Sequence, residues 1–354
     1  VSRFLSLIPA HDEEAVLPDV LRSCTEFDYP RDGYEVVVIA DNCTDRTAAV
    51  ARAHGARCLE RHDLTQRGKG PALAWALDQL LPEKPDAVVI LDADCRLDPH
   101  ALQVFAARFA AGIRVLQAAY VASNPEQSLT SYAASVANTV ENDLFYVPKE
   151  SLGLAILLRG TGMAFRRDVL TTVPWQAHSV VEDAEYTVRL LEAGIAVEFV
   201  PDVRVWSSFP AQHKQLAVQR TRWIGGTLHL GITHGLPLML SGLLKRDRYR
   251  FDLGWTLFVA GRSLVLLELL AALGCALLAA WVMPTMLTFG LVQSACSLIV
   301  IHGMVLALGA YRLGFSGRRL ALLTGLPWVG AQWLTIAGAS LLPGRNRSWQ
   351  RTPR

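Results

Sequence analysis

Ala87-Val88-Val89-Ile90-Leu91-Asp92-Ala93-Asp94-Cys95 is the stretch from which the rest of the chain can be read. A short aliphatic, largely β-branched run between Pro85 and Pro99 predicts a fully buried parallel strand and not a helix. Alternation carries Asp92 and Asp94 to one side of the strand end and turns Ala93 away. Ligands of open α/β sheets bind beyond the carboxyl ends of strands. Two carboxylates this close repel unless a cation neutralises them, and hard divalent cations take oxygen ligands. Taken alone, the pair reads equally well as a capped turn into the next helix, with Asp98-Pro99 as the cap. The motifs on either side decide between the two.

Upstream, Phe4–Ile8 and Glu35–Ile39 read as buried strands, and Ala56–Glu60 as a shorter one. Helices fit between them: one ending near Phe27, one from Arg46 to about His54 closed by Gly55, and one opened by Pro71. This β-α-β-α-β-α-β series predicts a mostly parallel sheet with right-handed crossovers. Its first turn, Pro9-Ala10-His11-Asp12-Glu13-Glu14, carries acids where a dinucleotide site would need glycines. Arg67-Gly68-Lys69-Gly70 lacks the Ser or Thr of a P-loop. Downstream, a strand over Val115–Ala122, a helix from Ser128 to about Tyr146 and a glycine-hinged loop Arg159–Phe165 follow. A helix over 182–193 then opens on Glu182-Asp183-Ala184-Glu185, which suits the positive end of its dipole, and a last strand runs from Ala196 to Val200. On the next helical stretch Gln219, Arg222 and Trp223 stand at i, i+3 and i+4 and share one face.

The hydrophobic fraction of 51% over 354 residues is concentrated after Phe251. Trp255–Met283 and Met286–Tyr311 are each long enough to cross roughly 30 Å of hydrocarbon, with Pro284 at the turn. A third apolar piece, Leu320–Leu342, is broken by Gly325, Pro327, Gly330 and Gly338 and predicts a re-entrant or interfacial segment. Leu236–Leu240 followed by Lys245-Arg246-Asp247-Arg248-Tyr249-Arg250 predicts helices lying on the membrane surface. The expected organisation is therefore a catalytic domain over 1–208, interfacial helices over 209–250 and a membrane region over 251–354. No basic run interleaved with aromatics is present, so nucleic acid is not an expected partner. The six cysteines are scattered without a Cys-x-x-Cys pair, which argues against a zinc site or disulfide framework and fits a reducing compartment.

With these residues in hand, the chain resembles the membrane-embedded family 2 glycosyltransferases with a GT-A fold, the group that includes cellulose, chitin, hyaluronan and poly-N-acetylglucosamine synthases. The matching pieces are Ile8-Pro9-Ala10-His11-Asp12-Glu13-Glu14, Asp41 with Asp45, Gly68-Lys69-Gly70, Asp92-Ala93-Asp94, Gly160-Thr161-Gly162, Glu182-Asp183, Gln219-x-x-Arg222-Trp223 and Trp349-x-x-Thr352. Each motif is weak alone, and their order and spacing over nearly the whole chain make the resemblance. Asp12 departs from a more common Asn, Thr161 from Gly or Asn, and Val181 from Thr.

The resemblance implies an inverting transferase that takes a nucleotide-sugar donor, expected to be UDP-linked. By that analogy Asp41 bonds the base, Pro9, Ala10 and Glu13 surround base and ribose, and Lys69 lies nearby. Asp92 faces the nucleotide or its metal, and Asp94 ligates Mg2+ or Mn2+ on the diphosphate. Asp183 is the implied general base, Gln219 and Arg222 hold the diphosphate, and Glu182, Trp223 and Trp349 belong to the acceptor side. The expected acceptor is a growing polysaccharide or glycan, with export or polymerisation partners. The alternative is single transfer to a lipid such as ceramide, diacylglycerol or a polyprenyl phosphate. Sugar nucleotides are cytosolic, so a multi-pass protein of the bacterial inner membrane with a cytosolic catalytic domain is expected. A non-catalytic scaffold of the same fold is the rival from another class, and the full set of carboxylates argues against it.

Overall fold

A computed structural model describes residues 2–176, 179–259 and 262–340. Its centre is one eight-stranded sheet built from β1 (Phe4–Ala10), β2 (Tyr34–Asp41), β3 (Arg57–Arg61), β4 (Ala87–Ile90), β5 (Cys95–Leu97), β6 (Val115–Ala122), β7 (Met163–Arg166) and β8 (Glu198–Ser207). The strand order is β3-β2-β1-β4-β7-β6-β8-β5. Period-2 alternation divides each strand between two cores. Leu5, Leu7, Val37, Ile39, Val88 and Ile90 pack beneath Leu73 and Leu77 of the helix Lys69–Leu80. Phe4, Ile8, Val38 and Val89 face Leu17, Leu21 and Phe105 on the other side.

The pairing is mixed. β1 runs parallel to β2 and β4, β2 to β3, and β6 to β8. β7 inserts antiparallel between β4 and β6, and β5 pairs antiparallel with β8. The sheet is mostly parallel, as expected, and the antiparallel insertion of β7 positions the site. Parallel pairing sets the carboxyl ends of β1, β2 and β4 along one edge. Antiparallel pairing of Ile90 with Met163 then brings the loop before β7 to the same edge. Gly160 and Gly162 have φ of +79° and +64°, the left-handed region in which a side chain is strained. A Cβ on Gly162 would stand 2.2 Å from Val205 Cγ2.

Two other elements depart from expectation. The predicted helix to Tyr146 is α-helical only over Leu129–Thr139, and Val140–Tyr146 widens into a π-helix. The apolar run from 255 is shared between two helices. Arg248–Val259 belongs to the sheet-bearing body, with Leu253 and Leu257 buried in its core. Lys149 Nζ pairs with Asp252 Oδ2 at 2.8 Å and donates to Thr256 Oγ1 at 2.5 Å across this contact.

Three helices among the described residues are long and apolar enough to cross a membrane: His213–Lys245, Val265–Val282 and Met286–Leu313. The first is the least apolar, with a mean hydropathy of 1.2 against 2.3 and 2.0. Trp281, Val282, Met283, Met286 and Leu287 are exposed where the other two meet. The third apolar piece is two helices, Gly317–Leu323 and Leu326–Ser340, bent by 57°. The start of the first of them is tied back to the sheet-bearing body, where Glu126 Oε1 takes the Arg319 guanidinium at 2.8 Å and the hydroxyl of the cap residue Ser316 at 3.1 Å.

Candidate active site

β4 stops at Ile90, so the Asp92-Ala93-Asp94 pair stands in the turn that follows and not in the strand. Cys95 N donates to Asp92 O at 3.0 Å to close that turn, and the expected alternation survives it, with Ala93 buried and Asp94 exposed. The carboxylate oxygens of Asp92 and Asp94 and the Cys95 sulfur lie within 4.8 Å of one another. Burial pushes the Cys95 thiol well above its usual range, so the two carboxylates are the donor set, one that suits a hard divalent cation. Asp92 is fixed from two directions. Its N–H donates to Thr161 Oγ1 at 3.1 Å, and its Oδ1 takes a hydrogen bond from Lys69 Nζ.

Lys69 is placed by the loop that opens its helix, where Gly68 has a φ of +111°. Its ammonium also donates to Gly160 O at 2.6 Å. A Cβ on Gly160 would stand in ordinary contact, 3.5 Å from Lys69 Nζ and 3.4 Å from Asp183 Oδ2, so it is the φ of +79° that favours glycine here. Burial works against the ammonium, but the carboxylates of Asp92, Glu182 and Asp183 outweigh it and hold Lys69 above the usual lysine range. Lys69 is therefore a bridge between Asp92, Gly160 and the Glu182-Asp183 pair, rather than only a neighbour of the base as expected.

Glu182 and Asp183 open the helix Glu182–Glu192. Ala184 N donates to Asp183 Oδ1 at 2.8 Å. Burial raises both carboxyls above their usual range, and the charge of Asp183 helps push Glu182 to about 7. A carboxylate held above its usual range is a better proton acceptor than an ordinary one.

Two adjoining cavities share this edge of the sheet. The larger, about 1100 Å3, is lined by Pro9, Ala10, Glu13, Asp41, Asp94 and Gln219. The smaller, about 390 Å3, holds Glu182 and Asp183. Lys69, Asp92, Tyr120, Arg222 and Trp223 line both and so form the wall between them. Asp41 is buried and braced by Arg61, whose Nη1 donates to its Oδ1 at 2.7 Å. Asp12 has a φ of +54° and takes the Thr44 N–H on its Oδ1 at 2.6 Å, which joins the first two strand-end loops. Left-handed backbone of this kind is tolerated by Asp as by Asn.

The structure thus brings together every expected site residue except Trp349, which with Thr352 lies outside the described residues. It adds residues that the motifs did not assign. Arg159 donates to Glu141 Oε2 at 2.8 Å and to Asn142 Oδ1 at 2.6 Å, both on the π-helix, and so anchors the Gly160 loop. Tyr120 stands in the dividing wall, and Trp333 and Ile336 of the helix Leu326–Ser340 close the smaller cavity. The available signal was a cluster of polar residues late in the helical stretch, Asn138, Glu141 and Asn142; Trp333 had none.

A family model described as "Glycosyltransferase like family 2" matches residues 2–226. A probable glycosyltransferase of Bacillus subtilis is 25% identical over 272 residues, which cover 71% of this chain and 61% of the relative. A beta-monoglucosyldiacylglycerol synthase of a Nostoc species is 28% identical over 236 residues, covering 62% of this chain and 48% of the relative. The chain thus matches about half to three-fifths of the length of these relatives. A mannosyltransferase of Pyrobaculum calidifontis, solved with GDP-Man and Mn2+, superposes with a TM-score of 0.55 at 19% identity, covering 93% of this chain and 88% of its own.

Proposed function

The chain belongs to glycosyltransferase family 2, and on that premise we propose that it moves a sugar from a nucleotide donor in the larger cavity to an acceptor hydroxyl in the smaller one. The observation that carries this reading is the shared wall. A donor whose diphosphate lies near Asp92 and Asp94 presents its sugar across that wall toward Glu182 and Asp183. Asp183 takes the proton of the acceptor hydroxyl, and attack from its side displaces the diphosphate with inversion. Arg222 and Gln219 receive the leaving diphosphate, Asp41 holds the base, and Pro9, Ala10 and Glu13 line the base and ribose. Lys69 keeps three carboxylates compatible in one small space. Asp94, with Asp92 beside it, would hold the Mg2+ or Mn2+ that offsets charge on the leaving group.

The acceptor is read as a membrane amphiphile. The acceptor cavity is closed by Trp333 and Ile336 from the bent helix pair, which favours single transfer to a lipid hydroxyl over elongation of a glycan. The two strongest hydrophobic helices are taken to cross the membrane as a hairpin. The helices flanking it in sequence are both tied to the catalytic body, at Asp252 and at Glu126, which supports a bent pair that stays on the side of that body; the cytosolic supply of sugar nucleotides is the reason to read that side as the cytosol. The helix His213–Lys245 is read as interfacial, because Gln219, Arg222 and Trp223 reach into the site while Leu240, Leu243 and Leu244 are exposed. The test is to incubate membranes carrying the protein with a panel of labelled sugar nucleotides. A chloroform-extractable product bearing one sugar is expected. An aqueous product of high mass alone would overturn the lipid reading and restore a polymerase. Absence of transfer from every donor would overturn the reading as a whole.

A further inference from the structure

We infer that Trp333 is part of the acceptor-binding site: its indole N–H donates to an acceptor oxygen while its ring and Ile336 hold the acceptor's apolar part. The inference rests on the transferase reading above. Trp333 lies midway along the helix Leu326–Ser340. Its ring bridges two small apolar clusters, one containing Ala134, Phe209 and Leu216 and the other Ile224, Ile336 and Ala337. Its Nε1 is shielded from solvent and has no hydrogen-bond partner among the described residues. Buried indole N–H groups normally find a partner, because leaving a donor unmet carries its full desolvation cost.

Other neutral donors share this condition, among them Tyr132 and Trp175. They line neither cavity, whereas Trp333 lines the smaller one together with Glu182 and Asp183. The chemistry around it fits an amphiphile with two neighbouring oxygens. One, the hydroxyl, gives its proton to Asp183. The other, a carbonyl or ether oxygen, accepts from Trp333. Ile224, Ile336 and Trp223 offer apolar surface to what lies behind these oxygens. A helix of the apolar carboxyl-terminal part thereby supplies a specificity residue to the cavity of the catalytic domain.

The experiment compares the full chain with Trp333→Phe and Trp333→Ala in detergent micelles. Acceptors are 1,2-dioleoylglycerol and a panel of soluble oligosaccharides, and acceptor-free donor hydrolysis is followed in parallel. Trp333→Phe keeps a ring and removes the N–H, so acceptor KM is expected to rise about three- to tenfold, the loss of one neutral hydrogen bond. Donor KM, read both in transfer and in acceptor-free hydrolysis, is expected to stay within about twofold, which a merely structural defect would not allow. Trp333→Ala removes the ring as well and raises acceptor KM further. An unchanged acceptor KM in Trp333→Phe, or equal shifts in donor and acceptor KM, overturns the inference. Transfer by the wild type to an oligosaccharide but not to dioleoylglycerol overturns the lipid reading instead, and Trp333 then stands or falls on the same comparison with that oligosaccharide.

Discussion

Replacing Lys69 by Met tests the electrostatics of the site directly. Lys69 Nζ and Asp183 Oδ2 lie 3.5 and 3.4 Å from one point, the place a Cβ on Gly160 would occupy. They are therefore at most about 7 Å apart, and unit charges at that separation interact by about 2.4 kcal/mol at an effective dielectric constant of about 20. Water entering through the larger cavity screens part of this, leaving roughly one pKa unit at about 1.4 kcal/mol each. The sign is fixed: the ammonium favours charged carboxylates, so removing it raises the pKa of the Glu182-Asp183 pair. The base must be deprotonated to act, so the acid limb of kcat against pH, already above the ordinary carboxylate range in the wild type, should move up by about one unit. The profile is measured at saturating donor, acceptor and Mg2+, so that weaker donor binding does not enter it. Lys69→Arg keeps the charge and should keep the limb. A limb that stays in place or moves down in Lys69→Met would refute the placement of this cation in the field of the pair.

Asp183→Asn should lower turnover by about 10²–10⁴-fold with donor KM nearly unchanged, as removal of a general base requires; turnover within tenfold of wild type in steady-state assays would remove that role. Asp94→Ala should raise donor KM and abolish stimulation by added Mg2+ or Mn2+. Wild-type activity that survives EDTA would reduce the two aspartates to shaping the turn. Gly162→Ala forces a Cβ to within 2.2 Å of Val205 Cγ2 at a φ of +64°. It should cost about 2 kcal/mol or more, seen as a drop of several degrees in the unfolding midpoint and partly recovered by a second change, Val205→Ala. A reporter fused after Arg354 should be active only on the cytosolic side, and activity on the outer side would mean that the bent helix pair crosses.

Much of the fold was legible because its first half obeys local rules. Alternation along Phe4–Ile8 and Glu35–Ile39, closed turns such as Gly55 and the run before Asp92 are each readable within a dozen residues. β7 was not, because its pairing partner β4 lies more than seventy residues away and nothing in Met163–Arg166 states which edge it joins or in which direction. The same gap hid the role of Lys69. Its contacts, Asp92 and Gly160, meet only after β7 has entered the sheet. The widening of the helix at Val140 was invisible for a different reason: Leu129–Tyr146 is a sound helical sequence, and the local departure follows from packing. Gly309 of the second hydrophobic helix approaches so closely that a Cβ there would lie 2.4 Å from Val140 Cγ2. Carboxylates and arginines announced the larger cavity through their spacing, whereas an aromatic such as Trp333 in an apolar run looks like any other apolar-helix residue until the helix is seen against that cavity's neighbour.

The helices flanking the hydrophobic hairpin in sequence are both held to the sheet-bearing body, Arg248–Val259 through Lys149 with Asp252 and Gly317–Leu323 through Arg319 with Glu126, and this has a geometric consequence. A body held by one stalk can tilt and reach into the bilayer for what it modifies; one held at two separate feet keeps a set height. On the proposed reading of a lipid acceptor, its reacting oxygen would then have to reach Asp183 by its own length. The distance between the hydroxyl and the hydrocarbon boundary would become a ruler that sorts acceptors before any contact with the site does.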